Sequence, residues 1–217
     1  MATISYAILV NDELEEIKQL LEFLIENKEA DDEIVVLMDF VASMSVTLKK
    51  LKTHQYVTKL AQDLKIKLEF HPLNKDFSKQ KNYLNSKCVK DYIFNIDADE
   101  LLTAELIANI HPILEQNPDI ELFWLPRVNK VEGITPEHIV KWGWRVDENG
   151  DVNYPDWQPR VYKNIERIKW VKPVHERLVG MRTMTNFPAD KSLALLHYKT
   201  IDRQEKQNLF YSGIQRI

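Results

Sequence analysis

The sequence predicts an α/β fold built on a mostly parallel central sheet, and three observations carry that prediction. Apolar, β-prone runs alternate with helix-period segments four times in the first half of the 217 residues, the pattern of β–α–β crossovers. Two of those runs, Ile4 to Val10 and Glu33 to Met38, are almost continuously apolar, as strands covered on both faces must be. Three of the runs stop at a polar residue, namely Asn11, Asp39 and Asp97. In an open parallel sheet the strand ends share one edge, so these three residues are expected to gather where such sheets take their ligands.

Each element has its own justification. Ile4 to Val10 ends at Asn11 and Asp12. Asp12 with Glu15 resembles a capping box, and Leu14, Ile17, Leu20, Leu21, Leu24 and Ile25 then recur at helical spacing. Glu33 to Met38 ends at Asp39. A helix over about Ser45 to Leu64 carries Leu48, Leu51, Val57 and Leu60 on one face, and Ile66 to Phe70 is a shorter strand. Ser78 is the expected N-cap of a helix running to about Val89, which puts Lys79 and Lys81 in its first turn. The strand from Tyr92 runs into Asp97-Ala98-Asp99-Glu100, and a helical pattern starts at Thr103. Glu121 to Pro126 reads as another strand.

Beyond Pro126 the texture changes. Val140 to Val146 and Trp157 to Tyr162 suggest short, partly antiparallel strands, with turns at Asn149-Gly150 and Pro155-Asp156. Lys169 to Glu176 and Leu193 to Tyr198 follow, and Ile201 to Phe210 reads as an amphipathic helix. The organisation expected is one domain over residues 1–217, with a nucleotide-sized parallel half (1–126) and a smaller mixed or antiparallel half (127–217).

Composition narrows the function classes. A hydrophobic content of 44% supports one sizeable core, and five glycines argue against loosely tethered modules. Charged residues are 29% of the chain, yet the net charge is only −4, so no basic field marks nucleic acid as a partner. The lone Cys88 excludes an internal disulfide framework and is expected to pack beside a helix. With no transmembrane segment and no signal-like start, a cytoplasmic location is expected.

The chemistry concentrates at Asp97-Ala98-Asp99. Aspartates two apart on a strand end point the same way and repel unless a cation lies between them. Hard oxygen ligands suit Mn²⁺ or Mg²⁺, ions that usually accompany a phosphate-bearing ligand. The competing reading is a polar turn whose acids cap the next helix. Lysines in the first turn of a helix oppose its dipole unless an anion binds there, and Lys81 is the one chosen for that role. His54, His71, His111 and His138 have no constellation around them and are assigned to surface or packing. Trp142 and Trp144, alternating on the expected strand, share a face that could stack on a sugar or simply pack. Arg160 is read as a clamp for a phosphate or acceptor, or as a structural salt bridge.

These features together resemble the family 2 glycosyltransferases of the GT-A fold, and in particular lipopolysaccharide-type sugar transferases with a DxD motif. The resemblance rests on the first strand ending at Asn11 and on EIVVLMD ending at Asp39. It rests further on DFSKQKNYLNSKCVKDYIFNIDADE from Asp76 to Glu100, and on the later pair YPDWQPRVYKN and WVKPVHERL. It implies a GT-A-type, Rossmann-like sheet in which Asp39 contacts the nucleotide base, often uracil, and Asn11 lines that pocket. Asp97 then faces ribose and metal, Asp99 ligates Mn²⁺ or Mg²⁺, and Lys81 lies near the diphosphate or base. His175 or His197 corresponds to the histidine that completes the metal site in some members. Glu176 is the first candidate base and Asp156 the second, while Glu100 is structural. The family's usual DDGS is replaced here by Asp39-Phe40-Val41-Ala42, which loosens the inference to uracil.

The function so implied is metal-dependent transfer of a sugar from a nucleoside-diphosphate donor, a UDP-sugar, to a glycan or other hydroxyl acceptor, with Trp142, Trp144 and Arg160 on the acceptor side. A chain this short leaves room for a homo-oligomer or partner that completes the acceptor site. Two other readings are open: a DxD phosphatase, disfavoured because Glu100-Leu101 follows the motif, and a non-catalytic nucleotide-sugar-binding module.

Overall fold

The computed structural model describes residues 1–40 and 46–215, the side chains of residues 212, 214 and 215 apart. The elements run β1 (Ile4–Val10), α1 (Leu14–Asn27), β2 (Glu33–Met38), α2 (Leu48–Gln62), β3 (Lys67–Phe70), α3 (Phe77–Asn85), β4 (Tyr92–Asp97), β5 (Glu100–Leu102) and α4 (Ala104–Gln116). There follow β6 (Leu122–Leu125), β7 (Arg127–Glu132), α5 (Pro136–Trp142), β8 (Gln158–Lys163), β9 (Lys169–Val171), β10 (Arg177–Val179), β11 (Met184–Asn186), β12 (Leu195–Thr200) and α6 (Ile201–Gln215).

The two most apolar runs become the middle of the main sheet, whose order is β11-β6-β8-β4-β1-β2-β3. β1, β2, β3 and β4 are mutually parallel, while β8 is antiparallel to both β4 and β6. The chain steps outward from β1 to β3 and then returns to β4 on the other side of β1. That reversal opens a crevice at the carboxyl ends of β1 and β4. Register makes the ends level: Val10 pairs with Met38 and Leu9 with Asp97. Asn11, Asp39 and Asp97 therefore do share one edge.

Period-two alternation divides the strands between two cores. On one face Tyr6, Ile8, Val36, Phe94 and Ile96 pack with Ile17, Leu20, Leu21 and Leu24 of α1 and Leu106, Ile110 and Leu114 of α4. On the other, Ala7, Val35, Leu37, Ile93 and Tyr162 meet Leu84 of α3, Trp170 of β9 and Leu178 of β10. Buried Cys88 joins this second core, its thiol donating to the Leu84 carbonyl at 3.5 Å. A small sheet, β5-β12-β7, stands just past the end of β4, with β12 antiparallel to β5 and parallel to β7. It sets His197 opposite both Glu100 and Asn129.

Several local expectations are corrected. No Asp12–Glu15 capping box forms; Glu13 is the N-cap of α1, and its carboxylate accepts from the Asn11 and Asp12 amides at 2.8 and 3.1 Å. Asp76, not Ser78, caps α3, accepting from the Lys79 amide at 3.0 Å, and the Ser78 hydroxyl donates to the same carboxylate. That helix stops at Asn85, short of Val89, because the Val89 amide is drawn to Glu33 at 2.7 Å as the chain turns into β4. The expected helix start at Ser45 lies outside the described residues; α2 is capped at Thr47, whose side chain accepts from Lys50.

The largest correction concerns Val140 to Val146, which is not a strand. Pro136 sits in the first turn of α5, Thr135 donates to His138, and Gly143 closes the helix at φ +63°. This helix punctuation outweighs the alternation of Trp142 and Trp144. Among the described residues no helix is long and apolar enough to cross a membrane.

Candidate active site

A cavity of about 960 Å³ opens at the carboxyl edge of β1, β2 and β4, within the range of small-molecule sites. Asn11, Asp39, Lys81, Asp97, Asp99, Arg160, His175, Glu176 and His197 all line it, so most of the residues chosen from sequence converge. With Asp76 as the cap, Lys81 is the fifth residue of α3 and lies past its first turn, contrary to the sequence expectation, and β8 brings Arg160 from the antiparallel half.

The two aspartates part company at the strand end. Asp97 is the last residue of β4, and its carboxylate accepts from Arg160 Nη2 at 2.5 Å. The same nitrogen donates to Glu100 at 2.6 Å, with Arg160 and Glu100 both buried. Burial works against charge on Asp97, but Arg160, Lys81 and Arg127 hold its carboxyl well below the usual range. Arg160, although it lines the cavity, is thus paired with two acids, which fits the salt-bridge alternative of its two readings. Glu100 is structural, as expected: fully buried, it also accepts from Arg127 at 2.9 Å and from the Asp97 amide at 3.1 Å.

Asp99 faces the other way. Its Oδ2 lies 3.3 Å from His197 Nε2 and 3.2 Å from Arg203 Nη2. Burial raises its pKa, and the bond and charge of His197 more than reverse this, so the carboxyl stays below its ordinary value. The tautomer of His197 follows from its other side. Asn129 Nδ2 donates to Asp156 at 2.8 Å, which fixes the amide and turns its Oδ1 to accept from His197 Nδ1 at 2.8 Å. In the neutral ring Nε2 therefore carries the lone pair and points it at the Asp99 carboxylate. Two acceptors facing each other need a proton or a cation between them. A carboxylate with an imidazole lone pair, oriented by an amide behind it, fits a small divalent ion. No group of three or more His, Cys, Asp or Glu converges among the described residues, so such an ion would take its remaining ligands from water and phosphate.

Lys81 and Glu176 form the opposite wall. Lys81 Nζ donates to Glu176 Oε1 at 2.5 Å and lies over the Trp170 ring at 4.4 Å. His175 packs on Tyr211 of α6, centroids 5.7 Å apart, and is not paired with Asp99; His197 is the histidine that is. At the β2 end, Asp39 accepts from the Leu73 amide at 2.9 Å and from Lys50 at 3.3 Å, beside Asn11.

Three candidates stay outside the cavity lining. Asp156 is taken by Arg127 at 2.7 Å, Asn129 and Gln158. Burial raises its pKa, but Arg127 and these bonds leave the carboxyl below the usual range, which suits an anchor better than a base. Trp142 and Trp144 lie on and after α5, their rings 4.7 Å apart, and Trp142 also stacks on His138. They pack together instead of presenting faces to a sugar in the cavity.

Sequence reasoning missed Arg127, Lys199 and Arg203, which also line the cavity. For Lys199 a signal exists: it follows His197 by two on a strand, so both face the same way. Burial lowers the Lys199 pKa to about 8, with Arg127 and Arg203 nearby. Arg203, one turn into α6, had no local signal.

A parallel sheet with this reversal, flanked by helices and extended by a mixed carboxyl-terminal part, is a GT-A-like fold. The chain belongs to glycosyl transferase family 2, whose family model matches residues 5–192. No curated protein matches it. Among solved structures, S. aureus TarS 1-349 is similar with a TM-score of 0.55 and 14% identity, covering 97% of this chain and 64% of that one. The same fragment in complex with UDP-GlcNAc gives a TM-score of 0.53 at 14% identity, covering 92% and 58%. A structure of S. aureus TarS gives 0.55 at 14% identity, with 97% of this chain and 39% of that one covered. At such identity the likeness is one of fold, and this chain spans less than two thirds of those structures.

Proposed function

We propose that the chain is a metal-dependent glycosyltransferase that moves a sugar from a UDP-type nucleoside diphosphate to a hydroxyl of a glycan or other acceptor. The observation that carries this is the Asp99–His197 pair, with His197 Nε2 turned on a carboxylate in a cavity rich in cations. TarS structures hold UDP and UDP-GlcNAc, which makes uridine donors the first to try.

In this reading Asp39 and Asn11 receive the base, and Asp97, braced by Arg160, faces the ribose. Asp99 and His197 would hold Mn²⁺ or Mg²⁺, which supplies positive charge where the leaving diphosphate develops its own. Lys81 fixes Glu176 Oε1 and leaves Oε2 for the acceptor hydroxyl. Transfer breaks the bond from the anomeric carbon to the phosphate oxygen, whose electron pair stays on the diphosphate. The acceptor oxygen forms the new bond, and its proton passes to Glu176.

The test is release of nucleoside diphosphate from a panel of nucleotide sugars with candidate hydroxyl acceptors, in Mn²⁺ and in EDTA. Release with at least one donor that EDTA abolishes is the expected outcome. No metal-dependent release with any donor overturns the proposal. Phosphate release from simple phosphomonoesters would instead favour a phosphatase.

A further inference from the structure

Between its two end residues β4 is apolar except at Asn95, which is fully buried. Asn95 Nδ2 donates to the Ala7 carbonyl at 3.3 Å, and that bond fixes the amide with Oδ1 turned away as an acceptor. Among the described residues this Oδ1 has no hydrogen-bond partner, and neither has the Nε of Arg160. The two side chains are 0% and 3% exposed, and a polar atom left unmet at such depth is destabilising. A leucine of similar shape would suit the strand without that penalty, so the amide calls for a reason.

Strand register supplies one. β4 and β8 pair antiparallel with Ile93 opposite Tyr162 and Phe94 opposite Val161, so the next pair along is Asn95 and Arg160. Such cross-strand partners share a face, with Cβ atoms about 4.5–5.5 Å apart. By the same alternation Asp97 follows Asn95 on that face, and the Arg160 side chain passes the amide to reach it. The unmet donor and the unmet acceptor therefore lie side by side, and one shared water or a small turn of the amide joins them. The guanidinium needs that hold. A single nitrogen, Nη2, serves both Asp97 at 2.5 Å and Glu100 at 2.6 Å, so these two bonds leave the group free to rock between the acids. A further bond at Nε fixes its plane.

We infer that Asn95 is a positioning residue for the donor site: its Oδ1 takes the Arg160 Nε–H and so sets the guanidinium that aims Asp97 at the ribose. The inference rests on the donor reading above, in which Asp97 faces the ribose. Asn95 is not part of the cavity wall and touches no ligand there. It acts on the ribose hydroxyls only through Arg160 and Asp97, so its loss weakens only ligands that carry those hydroxyls.

Calorimetric titration in Mn²⁺ compares UDP with 2′,3′-dideoxy-UDP, which lacks the ribose hydroxyls. Wild type favours UDP by about tenfold or more, the usual worth of hydrogen bonds to a charged group. In Asn95→Leu UDP affinity falls until that preference is about threefold or less, while dideoxy-UDP binding holds. Asn95→Ser keeps an oxygen, leaves room for a water and restores most of the preference. A purely structural asparagine would lower thermal stability and both affinities together. Thermal melting checks each fold, and N95A replaces N95L if the latter does not melt cooperatively. The wild-type preference in the folded variant, or equal weakening of both nucleotides, overturns the inference, as does equal binding of the two by the wild type. If the wild type binds no UDP the donor reading falls, and hydrogen exchange at the Arg160 Nε–H, read by NMR, then decides. Exchange about tenfold faster in N95L upholds the Asn95–Arg160 link, and unchanged exchange refutes it.

Discussion

At the scale of single residues, Asn129 shows how much depends on a side chain that never touches the cavity. It holds His197 by Nδ1 and so decides which ring nitrogen faces Asp99. Asn129→Leu is therefore expected to weaken Mn²⁺-dependent UDP binding by about 10- to 100-fold, the usual effect of losing an outer partner of a metal ligand. Glu176→Gln should lower turnover by about 10²- to 10⁴-fold in steady-state assays while UDP affinity stays near wild type. A third case lies at the other end of the sheet. Buried His111 places Nδ1 on the Ala2 carbonyl and Nε2 on Asp32, each at 2.9 Å, and both partners only accept. The Asp32 bond outweighs burial and raises the His111 pKa above its ordinary value. A raised folded pKa contributes stability that is complete below about 6.5, the unfolded value, and is lost as pH rises through the folded one. Urea midpoints should thus fall for wild type relative to His111→Gln as pH rises from 6 towards 9; parallel curves would contradict the assignment.

At the scale of elements, what was legible followed from local patterns. β1 and β2 have the bounds that their apolar runs imply, and Thr103 caps α4 where the helical pattern begins. α5 was misread because two alternating tryptophans imitate a strand, although Pro136 and Gly143 bracket a helix of seven residues. Ser78 reads as the cap from sequence because Ser and Asp serve there alike; only the fold decides which amide each side chain meets. Asp76→Ala is expected to cost about 1 kcal/mol in denaturant unfolding, the usual worth of an N-cap. Gly180 was invisible in sequence but is demanding in the fold. At φ +93°, a Cβ there would lie 1.9 Å from the Arg167 carbonyl oxygen. Gly180→Ala should cost more than about 1 kcal/mol, measured the same way, and a neutral result would show that the loop between β10 and β11 shifts freely.

At the scale of the molecule, the parallel half and the site's acidic corner were readable because each is encoded within one or two elements. The carboxyl-terminal wall was not. Asp99 and His197 are 98 residues apart, Arg203 and Glu16 are 187 apart, and only the small β5-β12-β7 sheet and α6 bring them together. In sequence His175, flanked by Pro173 and Glu176, ranks ahead of His197; strand register reverses that order, because β12 lays His197 against Glu100 and Asn129. The same topology makes one cavity of two halves, with Asn11, Asp39 and Asp97 from the parallel strands and Arg127, Lys199 and Arg203 from the later segments. The claim on which all of this depends is that Asp99 joins a divalent ion to a nucleotide diphosphate. Calorimetric titration of UDP with and without Mn²⁺, into wild type and Asp99→Ala, tests it most directly. Wild type should bind UDP at least tenfold more tightly with Mn²⁺, and Asp99→Ala should lose that gain. An undiminished Mn²⁺ gain in the variant would place the metal elsewhere and contradict the account.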